Sequence, residues 1–496
     1  MKKYALPLIL MLALLFRVFM LLTTLQPIIS DEAATGLMAQ HIRHGARPLF
    51  DYGIRYHGPL ESYLTAPLFA VFGMNRIVLR IVPLGFSIVF VGAIYWLGSK
   101  LYGRTIGLMS ALYAAVPPSM LTIWGLRAGA GYIVVLALGT MSLVLAADLR
   151  RKANAAKLLV LLLLLALSFW VLYVTGYYIA ALVLAAGIKI AWQRPSLSST
   201  LSPRARIAGG ALAAVALFVV CYVLSLLPIM PSLADSFHRL VGLVTLALPV
   251  LLGFWQPSVD PQFASQMAAQ GAIYALGIGL SAVMCLIVLW IGVQQLGRGD
   301  ILLPLFIAVT VLLFATFFVV GRVSFVLLSE PRYLLPLYSA IPLAMLALFR
   351  LTQKTPRLRL ALLGGLLVLN LYSNLSIKPP LVDRHRVLVN WLDEHDVRHV
   401  YADYWTSYCL AFESQERIVP FTIGPGNQVG WNRYQPYVAE VESSPDPAVI
   451  FLAGSEEEQA FASYLTARNI RCEAQSIAGY TVYWNLSRRV HFPLER

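Results

Sequence analysis

Residues 4–36 read YALPLILMLALLFRVFMLLTTLQPIISDEAATG. The first part, 4–25, is a nearly unbroken apolar run, and a membrane-spanning helix needs roughly 20 such residues. Lys2 and Lys3 precede it, and no small-residue cleavage pattern follows it. It therefore reads as a retained first span, not a removed leader. Two adjacent acids, Asp31 and Glu32, stand where the chain leaves the bilayer. Ser30 is the expected cap of a helix running to about His44-Gly45, and acids in a first turn suit the helix dipole. The competing reading makes one of these carboxylates a general base at the membrane surface.

The rest of the chain extends the membrane reading. Hydrophobic residues make up 59% and charged residues 12%, against about 25% charged in a soluble domain. Mean hydropathy is +0.72. Further spans are expected at 80–99, 105–124, 130–147, 158–175, 176–192, 207–228, 272–293, 301–320, 333–350 and 359–375, about eleven with the first. The net charge is +14, and its placement decides what it means. Lys100 and Arg104, then Arg150 to Lys157, Lys189 to Arg206, Arg298, and Arg350 to Arg359 fall between alternate pairs of spans. With Lys2 and Lys3 they put the short basic loops on one side, as the positive-inside rule requires. The excess charge thus sets orientation and implies no nucleic acid. The amino terminus is expected in the cytoplasm and the carboxyl terminus outside. Cys221 and Cys285 fall in spans; Cys409 and Cys472 lie in the outward C-terminal segment, where either a disulfide or two thiols would be stable.

Three stretches outside the membrane exceed what a connection needs: 26–79, 229–271 and 376–496. Within the second, VGLVTLALPVLLGFW (241–255) is short for a span and reads as interfacial or re-entrant. The third alternates helical and strand patterns and predicts a small extracytoplasmic α/β domain. RHRVLVNWLDEH and SEEEQAFASYLTARN are its expected helices, the latter after a Ser cap, and VRHVYADYW and PAVIFLAG its strands. Its histidines, His385, His395 and His399, scatter around a helix end, and no catalytic constellation is expected in it. The domains are accordingly 1–375, a mainly α helical bundle including loop 26–79, and 376–496. Arg17 is the clearest charge inside a span, followed by Asp148 near a helix end. Transporters concentrate ionisable residues near the midplane, and here the polar chemistry gathers at the outer face.

The loop after Asp31 carries Arg43, Arg47, Arg55, Arg76 and Arg80 on the side normally kept free of short basic loops. Arginine presents a planar fork that matches phosphate, so these residues suggest an anionic membrane-bound ligand; lipid headgroups are the plainer alternative. YHGPLESYL adds Tyr56, His57 and Glu61. Arg127, in IWGLRAGAGY (123–132), and Arg332 beside Tyr333, in LLSEPRYLLPLY (327–338), are further outward arginines. No His/Cys cluster with ligand spacing suggests a metal, although a divalent ion between Asp31 and a phosphate is compatible with the residues.

The loop DEAATGLMAQHIRHGARPLFDYGIRYHGPLESYLTAPLFAVFG, with LRAGAGY and PRYLLPLYSAIPL, resembles the GT-C superfamily of membrane glycosyltransferases. The resemblance is to bacterial family 39 relatives of the protein O-mannosyltransferases and to the lipid A aminoarabinose transferase, over roughly residues 1–375. It implies a GT-C bundle in a bacterial inner membrane that moves a sugar from a polyprenyl-phosphate donor to an outward acceptor. That acceptor is protein, lipid A, polysaccharide or another glycan. By position, Asp31 matches the family's catalytic acid, with Glu32 as companion. Tyr56, His57 and Pro59 fall where the aminoarabinose transferases have an aromatic, an acid, a lysine and a proline; here His57-Gly58 replaces the acid and lysine. Donor phosphate binding then falls to Arg127, Arg332 with Tyr333, or Arg55 with His57, and Tyr56 and Glu61 support the site. A polyprenyl phosphate leaves as a stable anion, so one base and arginine suffice, whereas glycoside hydrolysis needs two carboxyl groups. A lipid-linked flippase and an outward receptor or assembly protein are the rival readings.

Overall fold

The computed structural model describes residues 4–24, 27–129, 131–152, 154–192, 233–257, 275–283, 286, 302–320, 330–343, 356–377 and 382–494. Internal contacts divide the chain into two units. One comprises Met1–Leu22, Pro83–Leu126 and Tyr132–Lys378; the other comprises Thr23–Val82, Arg127–Gly131 and Pro379–Arg496. The segment 23–82 and the turn at 127–131 thus group with the C-terminal segment.

Ala5–Thr23, Arg76–Tyr102 and Tyr132–Arg150 are long and apolar enough to cross a membrane, and Arg104–Ala115 with Ser119–Leu126 adds a fourth if the pair is one span. Ala155–Val171, Leu302–Phe314 and Leu360–Leu375 are shorter apolar helices. The chain is a multi-pass membrane protein. The expected span 207–228, much of 272–293 and the end of 333–350 lie outside the described residues. Over 233–251 the chain is helical, with a π turn at Leu243–Ala247.

The helix Ala5–Thr23 buries Ala13, Phe16, Arg17, Met20 and Leu21. Leu8, Met11, Leu15, Phe19 and Leu22 stay exposed. An apolar helix with a bare apolar face is soluble only in lipid.

The span expected at 105–124 is not a straight helix. It bends by 73° between Ala115 and Ser119, because Pro117 and Pro118 have no N–H to continue the ladder. A break inside a membrane protein leaves carbonyls that no water can reach. Here four of them find a side chain. Arg17 donates to the carbonyls of Ala114 and Ala115, both at 3.0 Å. Asn370 donates to Val116 O at 2.7 Å and Asn374 to Pro117 O at 2.7 Å. Arg17 is therefore a helix-end cap. Similarly, Asp148 is held by Lys100 and Lys157. The segment after Pro331 opens as a 3₁₀ helix, Arg332–Ser339, rather than the expected α-helix. Its end is pinned by Ser339, whose hydroxyl lies 2.7 Å from those of both Thr140 and Tyr178.

In the second unit the C-terminal lobe forms a six-stranded sheet ordered β3-β2-β1-β4-β6-β5. The strands are β1 (His399–Asp403), β2 (Val419–Gly424), β3 (Gln428–Val429), β4 (Ala448–Leu452), β5 (Glu473–Ile477) and β6 (Tyr480–Trp484). β1 pairs in parallel with β2 and β4, and the outer pairs are antiparallel. The expected helices form at Arg384–Glu394 and Glu456–Ala467, the latter capped by Ser455, which accepts from Glu458 N. YADYW is a strand only as far as Asp403. The Asp403 side chain caps the N–H groups of Trp405 and Thr406 and starts the helix Tyr404–Glu413. Cys409 and Cys472 are free thiols.

Replacing Arg17 tests the cap. A charge-assisted hydrogen bond is worth about 1.5–3 kcal/mol. Arg17→Met is expected to lower the melting temperature in detergent markedly, with Arg17→Lys between it and the native protein because it lacks the fork that reaches two carbonyls.

Candidate active site

The site grows from the helix Ser30–Arg43. Ser30 does not cap it; its N-cap is Ile29 with no side-chain bond. The Ser30 hydroxyl instead donates to Tyr404 O at 2.5 Å. The small residues Ala33, Ala34 and Gly36 explain why: this helix packs on Tyr404–Glu413, and a Cβ at Gly36 would overlap the Phe412 ring. The buried Cys409 thiol donates to Ile28 O at 3.3 Å in the same seam.

This packing brings residues of the lobe onto Asp31. Tyr404 donates its hydroxyl to Asp31 Oδ1 at 2.6 Å, and Arg433 Nη1 stands 3.3 Å from the same oxygen. Arg433 is itself fixed: Nε donates to Tyr52 O at 2.8 Å, Nη1 donates to the Tyr404 hydroxyl at 3.1 Å, and the guanidinium lies over the Trp431 ring. Among the described residues no hydrogen bond is made to Asp31 Oδ2. The Asp31 side chain is 29% exposed, whereas Arg433 is 3% exposed. The lobe, expected to hold no catalytic constellation, thus contributes two of the groups that touch Asp31.

Glu32 lies differently. It is fully buried and forms a two-pronged pair with Arg80, Nε and Nη2 each at 2.7 Å. It also accepts from Ala128 N at 3.2 Å. Glu61 Oε2 accepts from Gly129 N at 2.8 Å and Gly131 N at 3.2 Å, while its Oε1, also buried, has no hydrogen-bond partner among the described residues. Two carboxylates therefore hold the turn that carries Arg127. Its glycines are required, since φ is +141° at Gly129 and +65° at Gly131. Asp51 is buried, with His57 Nδ1 at 3.9 Å. Tyr56 is 41% exposed and sets its ring edge-on to His57, and Arg55 is exposed on the same loop.

Of the arginines expected to face outward, Arg76 pairs with Glu413 and Asp383, and Arg80 with Glu32. These two serve the protein's own carboxylates, not an external anion. Arg332 and Tyr333 belong to the other unit. There the Arg332 guanidinium lies 5.7 Å from the Trp124 ring centre and 5.8 Å from that of Tyr333. Tyr132 and Tyr173 pack against Tyr333, so Arg332 stands in an aromatic pocket. No group of three or more His, Cys, Asp or Glu side chains able to hold a metal occurs among the described residues.

Burial pushes the Glu61 carboxyl up to about 7, its two amide donors only partly opposing this, with Asp51 and Glu32 adding repulsion. Burial likewise pushes Asp51 up to about 6, with Arg433 opposing and Asp31 adding to the rise.

The chain thus combines a unit of apolar helices with an acid at the head of the helix Ser30–Arg43 and a C-terminal α/β lobe. No protein-family description matches the sequence, and no curated protein matches it. Solved structures do. ArnT from Cupriavidus metallidurans in the apo state gives a TM-score of 0.60 at 11% identity, covering 96% of this chain and 97% of that one. The same protein bound to undecaprenyl phosphate gives 0.58 at 11%, covering 97% and 98%. The archaeal oligosaccharyltransferase AglB from Archaeoglobus fulgidus, in complex with an inhibitory peptide and a dolichol-phosphate, gives 0.52 at 12%, covering 99% and 75%. At these identities the likeness is one of fold.

The raised Glu61 carboxyl gives a test by pH. The folded chain holds this proton more tightly than the unfolded chain, whose carboxyl titrates near 4.5. Its stabilising contribution is complete below that value and is lost as pH rises through about 7. Melting temperatures between these limits should fall with pH, and Glu61→Gln should flatten that slope, leaving the smaller part from Asp51.

Proposed function

We propose that the protein is a membrane glycosyltransferase that moves a sugar from a polyprenyl-phosphate donor to an acceptor hydroxyl at the outer face of a bacterial cytoplasmic membrane. The observation that carries this reading is the Asp31 carboxylate, part-exposed at a helix N-terminus and held through one oxygen by Tyr404 and Arg433. The fold likeness to ArnT bound to undecaprenyl phosphate and to AglB in complex with a dolichol-phosphate supports the donor class.

In this reading Asp31 Oδ2 takes the proton of the acceptor hydroxyl as its oxygen attacks the anomeric carbon. The bond from that carbon to the phosphate oxygen breaks, and the electron pair leaves with the polyprenyl phosphate. Attack from the face opposite the leaving phosphate inverts the anomeric centre. Tyr404 and Arg433 fix the carboxylate in one orientation, the requirement for a positioned base. Arg433 also supplies its countercharge. Glu32 acts through Arg80 and Ala128 as a positioning residue. The donor phosphate is bound by Arg127, by Arg332 with Tyr333, or by Arg55 with His57. Phosphate departure needs positive charge, not an acid. A flippase reading draws no support from the bundle: Arg17 caps a helix end and Asp148 is paired with two lysines.

Asp31→Asn keeps the shape and removes the basicity. Transfer from a radiolabelled undecaprenyl-phosphate sugar should fall by about 10²-fold or more, with little change in melting temperature; near-native turnover would exclude Asp31 as base. Arg332→Lys keeps a charge but loses the fork, so it should impair transfer less than Arg332→Ala. Normal transfer by both would move the phosphate site to Arg55 and His57.

A further inference from the structure

A cleft of about 580 Å³ opens in the C-terminal lobe, where Asp403, Ile423-Gly424 and Phe451-Leu452 end the parallel strands β1, β2 and β4. Loops that leave a parallel sheet in different directions create such a crevice at the carboxyl ends of its strands. Its walls carry two indoles, Trp405 and Trp431, which are 60% and 46% exposed. Between them stands Tyr404. Its ring stacks on Trp431 at 5.1 Å and 19°, and meets Trp405 edge-on at 5.2 Å and 80°. The hydroxyl of this same tyrosine donates to Asp31. One side chain is thus both part of the cleft wall and a contact of the proposed base.

The charge of the wall restricts what it can hold. It includes Asp403 and Glu457, with Ser455 and Gln428, and no lysine or arginine, in a chain of net charge +14. A phosphate or anionic lipid headgroup would meet carboxylates and no countercharge. A pyranose fits both features: its C–H face stacks on an indole, and its hydroxyls donate to carboxylate, amide and hydroxyl oxygens at the rim. We infer that this cleft binds a neutral saccharide through Trp405 and Trp431, and that the acceptor of the transferase is a glycan. The second half of that statement rests on the proposed function; the cleft itself does not.

The test uses the full-length protein in detergent, titrated with maltotriose, cellotriose and chitotriose and followed by tryptophan fluorescence. At least one trisaccharide should give a saturable change in the millimolar range. Trp405→Ala should weaken it about tenfold, the scale of one aromatic stacking contact, and Trp405→Phe should restore part of it. A native far-UV circular dichroism spectrum and a cooperative melting transition show that Trp405→Ala is folded. Absence of saturable change with all three sugars would overturn the inference, as would undiminished binding by a folded Trp405→Ala protein or saturation by short peptides alone. Asp31→Asn separates the two proposals: saccharide binding with undiminished donor turnover in that variant sustains the cleft and sinks the assigned base. Loss of donor turnover without saccharide binding by any form does the reverse.

Discussion

The contact of Asp31 with Tyr404 and Arg433 spans most of the sequence, and the rest of its unit is arranged to maintain it. A carboxylate left alone at the head of a helix would sample several rotamers; one held at Oδ1 by a phenol and a guanidinium keeps one orientation. That hold requires Arg433 to be fixed in turn, by Tyr52 O and the Trp431 face. It also requires the helices Ser30–Arg43 and Tyr404–Glu413 to approach closely, which Gly36 and its neighbouring alanines allow. Further pairs reinforce the seam, including His41 with Glu416 at 2.7 Å and Arg76 with Glu413. Removing one partner of a buried pair leaves an uncompensated charge, at a cost of about 3–5 kcal/mol. The loop and the lobe are therefore one folding unit although the helical bundle separates them in sequence.

The electrostatics follow from numbers and placement. Four carboxyl groups, Asp31, Glu32, Asp51 and Glu61, share this region with two buried guanidiniums, Arg80 and Arg433. Glu32 takes Arg80 and Asp31 takes Arg433. The two acids left over are buried, and for both the proton is held more tightly, to about 6 in Asp51 and about 7 in Glu61. Retained protons relieve the repulsion that four neighbouring anions would create. The pairing thus divides the carboxyl groups between one part-exposed carboxylate, Asp31, and three buried ones.

Much of this was legible in the sequence, and the exceptions have physical causes. Apolar runs marked the spans, and alternating strand and helix patterns marked the lobe with Ser455 as a cap. The acids after the first span marked the helix Ser30–Arg43. Ser30 misled because a serine before an acidic first turn is the ordinary N-cap signature; a tertiary partner, Tyr404 O, takes its hydroxyl instead. In DYWT, Asp403 was a readable cap that would have started a helix at Tyr404. Arg433 carries no such signal. WNRYQ follows no motif, and only the closure of the lobe on the first loop brings it within 3.3 Å of a residue 402 positions earlier. Long-range pairing of single side chains leaves no periodicity to read.

The chain treats its two exposed backbone ends by one rule with opposite signs. Where the helix Arg104–Ala115 stops at Pro117-Pro118, the orphaned groups are carbonyls, and a cation and two amides come to them: Arg17, Asn370 and Asn374. Where the chain turns at 128–131 before the helix Tyr132–Arg151, the orphaned groups are N–H, and two carboxylates come: Glu32 and Glu61. Each is the sign that the helix dipole favours at that end. The two carboxylates also fix the turn that carries Arg127 from two sides, so the backbone there is set before any ligand arrives. An arginine on a pre-set turn loses less freedom on meeting an anion than one on a loose loop.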